Sequence, residues 1–83
     1  MKMFYVVEEN YVKVSDTDSR LVSYDIKEAF NDFLEAAEYV NNIFVNKNRR
    51  GSWKACAGGM DGEPVNSIKK TDECSSTRIY VKR

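Results

Sequence analysis

Lys47-Asn48-Arg49-Arg50-Gly51-Ser52-Trp53-Lys54 places four cations around the only tryptophan of the chain. Cations neutralise phosphates and an exposed ring stacks on bases, which is the equipment that single-stranded nucleic acid requires of a protein surface. Arg78, Tyr80 and Lys82 alternate along a later segment, so on a strand they share one face and extend the same chemistry. Lys47, Arg49, Arg50, Trp53, Lys54, Arg78, Tyr80 and Lys82 therefore form one candidate site, for DNA or RNA. The competing explanation places Trp53 in the core of a small domain. A net charge of zero is also unlike that of a strongly basic nucleic-acid binder.

A second candidate is acidic. Glu28, Asp32, Glu35 and Glu38 recur at helical spacing and lie off the apolar stripe of the same segment. Such a row is an ordinary solvated helix face, or else a docking surface for a basic partner.

Catalytic equipment is sparse. The chain has no histidine, which removes Ser–His and Cys–His nucleophile pairs, histidine metal ligands and the usual proton shuttle. Cys56 and Cys74 cannot by themselves complete a tetrahedral zinc site. Asp16-x-Asp18 looks like the start of a calcium loop, but Leu21 stands where the loop needs glycine and Lys27 where it needs glutamate. Gly58-Gly59-Met60-Asp61-Gly62 is followed by a strand-like stretch rather than a helix, so it reads as a hairpin turn and not as a phosphate cradle. Cys56, between Ala55 and Ala57, is expected to be packed in a strand, and both cysteines are expected to be free thiols. No metal, cofactor or catalytic group is expected.

The elements that must position these residues follow from periodicity. Residues 3–8 are rich in aromatic and β-branched types and read as a first strand, residues 11–14 as a second short strand or as its continuation past Asn10, and residues 21–24 as one more short strand. The polar run Ser15 to Ser19 between them is turn chemistry. Asp25 with Glu28 forms a capping box. Ile26, Phe30, Phe33, Ala37, Val40 and Phe44, widened by Ala29 and Leu34, then mark the buried face of a helix running to about Asn42 or Val45. Asn46 to Gly51 ends it, with Gly51 suited to a left-handed cap. Residues 52–57, 65–70 and 77–82 complete the pattern as strands, with Trp53, Ala55 and Ala57 on one face. The expected fold is α+β, order β(β)-α-β-β-β: one amphipathic helix across a small antiparallel sheet, in a single domain spanning 1–83.

With 83 residues the chain makes one thin core, and 42% hydrophobic with 31% charged residues suits a globular protein. No segment is long and apolar enough to span a membrane, and a cytoplasmic location is expected. The charges are segregated. Residues 1–45 carry four cations and nine acids; residues 46–83 carry nine cations and four acids. Either the halves attract each other within the fold, or the asymmetry steers a charged partner.

The short N-terminal strand, the turn, the acidic Asp25-x-x-Glu28 amphipathic helix and the terminal strands together resemble small bacteriophage proteins, among them anti-CRISPR proteins and inhibitors of host RNA polymerase. The resemblance lies in size, element order and charge layout, and it carries over no functional residue. It implies a non-catalytic regulator or inhibitor from a phage or mobile element. Such a protein binds a host or cognate protein through a charged surface, here the acidic row. Direct DNA or RNA binding through the basic half is the alternative.

Overall fold

The computed structural model describes residues 3–48 and 50–83; Arg49, one of the candidate cations, lies outside the described residues. The chain opens with a long hairpin: β1 (Phe4–Ser15), a turn at Asp16-Thr17, and β2 (Asp18–Phe30). Residues 11–14 are thus the continuation of the first strand past Asn10, and residues 21–24 belong to a second strand far longer than expected. β1 holds Val6 and Val7, both fully buried, and its backbone is paired on both sides.

The expected helix start at Asp25 is wrong, and the reason is backbone accounting. β1 pairs as far back as Phe4↔Phe30, so residues 25–30 are held extended with their inward N–H and C=O groups committed to the ladder, and they cannot begin a helix. The capping box does not form; Glu28 Oε1 accepts a hydrogen bond from the adjacent Ala29 N–H at 3.2 Å. Ile26 is 59% exposed on β2 rather than buried on a helix. Phe30 does reach the core, from the end of the strand.

After the break at Asn31-Asp32, α1 runs from Phe33 to Lys47. Asp32 is its N-cap in extended conformation, without a side-chain capping bond, and Glu35 and Lys47 suit the two ends of the helix dipole. Ala36, Ala37 and Val40 are fully buried, with Phe33, Tyr39, Ile43 and Phe44 flanking them. Leu34, assigned to the buried stripe by spacing, points away and is 51% exposed. Ala36 and Ala37 let the helix lie close over β4 (Val65–Thr71), with its flanks on β5 (Ser75–Lys82) and β1. Asn41 Oδ1 accepts from Val65 N–H at 2.9 Å and so pins the start of β4 to the helix.

β3 (Trp53–Gly58) and β4 are joined by a loop whose tip, Met60 to Glu63, has Asp61 and Gly62 both at positive φ and a Glu63 N–H to Met60 C=O bond of 3.0 Å. That is the primed turn which Asp-Gly favours. The five strands form one antiparallel sheet in the order β2-β1-β5-β4-β3, α+β as expected, with the helix on one face. The core between the layers is Val6, Ala36, Val40, Val65, Ile68 and Ile79. Among the described residues no helix is long and apolar enough to cross a membrane.

Candidate nucleic-acid interface

The helix covers one face of the sheet; strand alternation determines what stands on the other. Val6, Ile68, Ile79 and Val81 point at the helix, so their neighbours Tyr5, Val7, Glu9, Tyr11, Ser67, Lys69, Arg78, Tyr80 and Lys82 point away from it. Register then aligns them in rows. Tyr5 lies beside Lys82, and Val7 beside Tyr80, which is in turn beside Ser67. Glu9 lies beside Tyr24 on β2 and Arg78 on β5, and that row continues through Lys69 to Lys54.

The open face thus carries Lys54, Lys69, Arg78 and Lys82, interleaved with Tyr5, Tyr11, Tyr24 and Tyr80. Val7 is fully buried there without help from the helix, so the surrounding side chains close over it. Ser67 is 5% exposed, and its hydroxyl has no hydrogen-bond partner among the described residues.

Glu9 organises the centre. Its Oε1 accepts from the Tyr11 hydroxyl at 2.9 Å and its Oε2 from the Tyr80 hydroxyl at 3.1 Å, so the one acid within these rows is held by two phenols. Both phenols are pushed above their ordinary pKa. For Tyr11 the hydrogen bond to Glu9 is the main cause; for Tyr80 burial comes first, then the same hydrogen bond. Both remain protonated donors at neutral pH. The Arg78 guanidinium carbon lies 4.2 Å from the Tyr80 ring centre. Lys82 Nζ donates to the Tyr24 hydroxyl at 3.3 Å and sits 5.3 Å from that ring. Cations held over rings present charge and π-surface together.

The basic set read from the sequence is divided by this geometry. Lys54, Arg78, Tyr80 and Lys82 share the open face. Lys47, Arg50 and Trp53 stand on the helix side, where with Asn46, Ser52 and Lys70 they line a cavity of about 440 Å³. Trp53 is half-buried against the core, as its competing explanation holds. Its backbone N–H and C=O are both bonded by the Asn48 side chain, at 2.8 and 3.0 Å. Lys70 Nζ lies 5.6 Å from its ring centre.

The acidic row is also divided: Asp32, Glu35 and Glu38 are exposed at the start of α1, while Glu28 is exposed on β2. Neither described ion pair, Lys27–Glu8 or Lys13–Asp16, joins the two oppositely charged halves. Cys56 and Cys74 are free. Cys56 is exposed rather than packed, because the β3 register slips between Ala55 and Ala57 and leaves it unpaired. The same slip breaks the expected alternation of Trp53, Ala55 and Ala57. Among the described residues no group of three or more acidic or thiol side chains is placed to hold a metal.

Sequence reasoning missed Tyr5, Glu9, Tyr11, Tyr24 and Lys69. The signal was present in Tyr5-Val7-Glu9-Tyr11, which alternate along one strand, but it is informative only once the opposite face is known to be covered. Comparison of the chain with protein-family models, curated proteins and solved structures finds no match.

Proposed function

We propose that this protein binds single-stranded nucleic acid across the uncovered face of its sheet, without catalysing a reaction. One observation carries the reading: four tyrosines, on β1, β2 and β5, and four cations, on β3, β4 and β5, share a face that the helix leaves open. Phosphates meet Lys54, Lys69, Arg78 and Lys82, and bases stack on the tyrosine rings or on the Arg78 plane. Glu9 is the one acid in these rows, and its two phenol donors disperse its charge.

The test is fluorescence anisotropy with labelled oligouridine and oligothymidine over a series of salt concentrations. If all four cations touch phosphates, the logarithm of affinity falls against the logarithm of salt with a slope near about −3, roughly 0.7 per phosphate neutralised. Arg78→Ala with Lys82→Ala should reduce that slope by about 1.4. Binding that is absent at low salt, or indifferent to both changes, overturns the reading.

A second reading has its own observation. Leu34 is 51% exposed among Asp32, Glu35 and Glu38, an apolar contact ringed by acids, which fits a basic protein surface. Under that reading the protein is a stoichiometric inhibitor of the kind its layout resembles. Glu35→Lys with Glu38→Lys then weakens capture of the protein partner, while the open-face variants do not.

A further inference from the structure

β2 is one edge of the sheet, thirteen residues long; among the described residues no strand pairs with its outer side, and Leu21, Val22, Tyr24 and Ile26 are all more than 40% exposed. Long edges of this kind template the addition of a further strand. We propose that the added strand is β2 of a second copy of this chain. The two would be antiparallel about a two-fold axis between Val22 and Ser23, forming one continuous ten-stranded sheet.

Two observations select this occupant and this register. The first is charge. With the axis at that point, Arg20 of each copy stands opposite Asp25 of the other, and Asp18 stands level with Lys27, which is left over at a second slip of β2 and already pairs with Glu8. Leu21 stands opposite Tyr24, and Ser19 opposite Ile26. Shifting the two-fold register by one residue either removes every pairing between opposite charges on the strand or sets Asp18 against Glu28. Shifting it by two sets Asp18 against Asp25, or Arg20 against Lys27.

The second observation is the bulge. In an unbroken strand, Arg20 and Asp25 differ by an odd number of positions and would project from opposite faces, so they could not stand opposite each other. The β1–β2 register slips at this point, however, with Asn10↔Ser23 followed by Tyr11↔Leu21 and Val22 left over. The slip restores the parity. Arg20 and Asp25 pair with Val12 and Glu8, both on the helix side, while Leu21 and Tyr24 pair with Tyr11 and Glu9, both on the open side. A bulge ordinarily protects an edge from pairing. Here it lies on the proposed axis, where a symmetric partner carries the same irregularity.

This proposal concerns the sheet edge and stands whether or not the open face binds nucleic acid. Because paired side chains share a face, the two open faces would lie on the same side of the joined sheet.

Sedimentation velocity under reducing conditions, over a concentration series, tests it. The wild-type chain should show twice the chain mass at high concentration, and more of it at low salt. Arg20→Asp alone and Asp25→Arg alone each place like charges across the axis, and each should dissociate the dimer at least tenfold more readily. Mixing the two variants sets opposite charges across the axis again at both pairings, and should restore the dimer as a mixed species. Circular dichroism of each variant separates dissociation from misfolding, and the mixture keeps the test informative if either variant is less stable. A wild-type chain that stays monomeric, a dimer insensitive to both changes, or a mixture that does not recover would each overturn the proposal.

Discussion

Glu9 is a carboxylate with two phenol donors, Tyr11 and Tyr80, on a face otherwise supplied with cations. The arrangement has a measurable signature. Folded Tyr11 and Tyr80 keep their protons above the ordinary phenol value of about 10, where the phenols of the unfolded chain lose theirs. Between that value and the folded one the native state binds more protons, so stability falls as pH rises through the window and is undiminished below it. Glu9→Gln removes the carboxylate that raises both values. Phenolate absorbance on alkaline titration should then begin at lower pH, with Tyr11 moving the further because burial still holds Tyr80 up; an unchanged titration curve would contradict the assignment. At this scale the sequence was legible in part. Arg78, Tyr80 and Lys82 group together correctly because alternation on a strand is a local rule. Trp53 joins them in the sequence only because it is near Lys54 in the chain, and adjacent strand residues face opposite ways.

The helix shows how an element can be recognised while its start is misplaced. Phe33, Ala37, Val40 and Phe44 recur at helical spacing and do lie on α1. Ile26 and Phe30 continue the same spacing backwards by coincidence, and nothing local forbids a helix there. What forbids it is β1, whose outer edge takes residues 25–30 as its ladder partner, a demand that comes from elsewhere in the chain. The corrected element makes a contrasting pair of expectations. Ile68 is fully buried under the helix, and Ile68→Ala should cost about 2–5 kcal/mol. For a domain of this size that lowers the melting temperature by at least about 8 °C. Leu34→Lys, which the spacing alone would make severe, should change stability by no more than about 0.5 kcal/mol. Thermal melts of the two variants under one buffer condition check both, and equal effects would put the helix face in error. Asp61-Gly62 was the most legible element of all. Its primed turn depends only on two residues that tolerate positive φ.

At the scale of the whole molecule, class and element order could be read from the sequence, whereas the strand order β2-β1-β5-β4-β3 could not. Hydrophobic pattern says which residues are strands; it does not say that β1 sits between β2 and β5, because that pairing joins Val6 to Val81 across most of the chain. The open face is a product of this order. Its rows run Tyr24, Glu9, Arg78, Lys69 and Lys54 through all five strands, and no stretch of sequence contains them. The placement of β1 also bears on the order of events during synthesis. The hairpin of β1 and β2 emerges from the ribosome before β5, and one long side of β1 has no partner until β5 follows it out. Synthesis proceeds at roughly 5–20 residues per second, so Val6 and Val7 wait several seconds in a half-built sheet. Stalled nascent chains should therefore stay open to protease when they end after α1 or after β4. Resistance should appear in a single step once β5 has cleared the exit tunnel. Protection that accumulates strand by strand would mean that the hairpin and helix form a stable unit without β5.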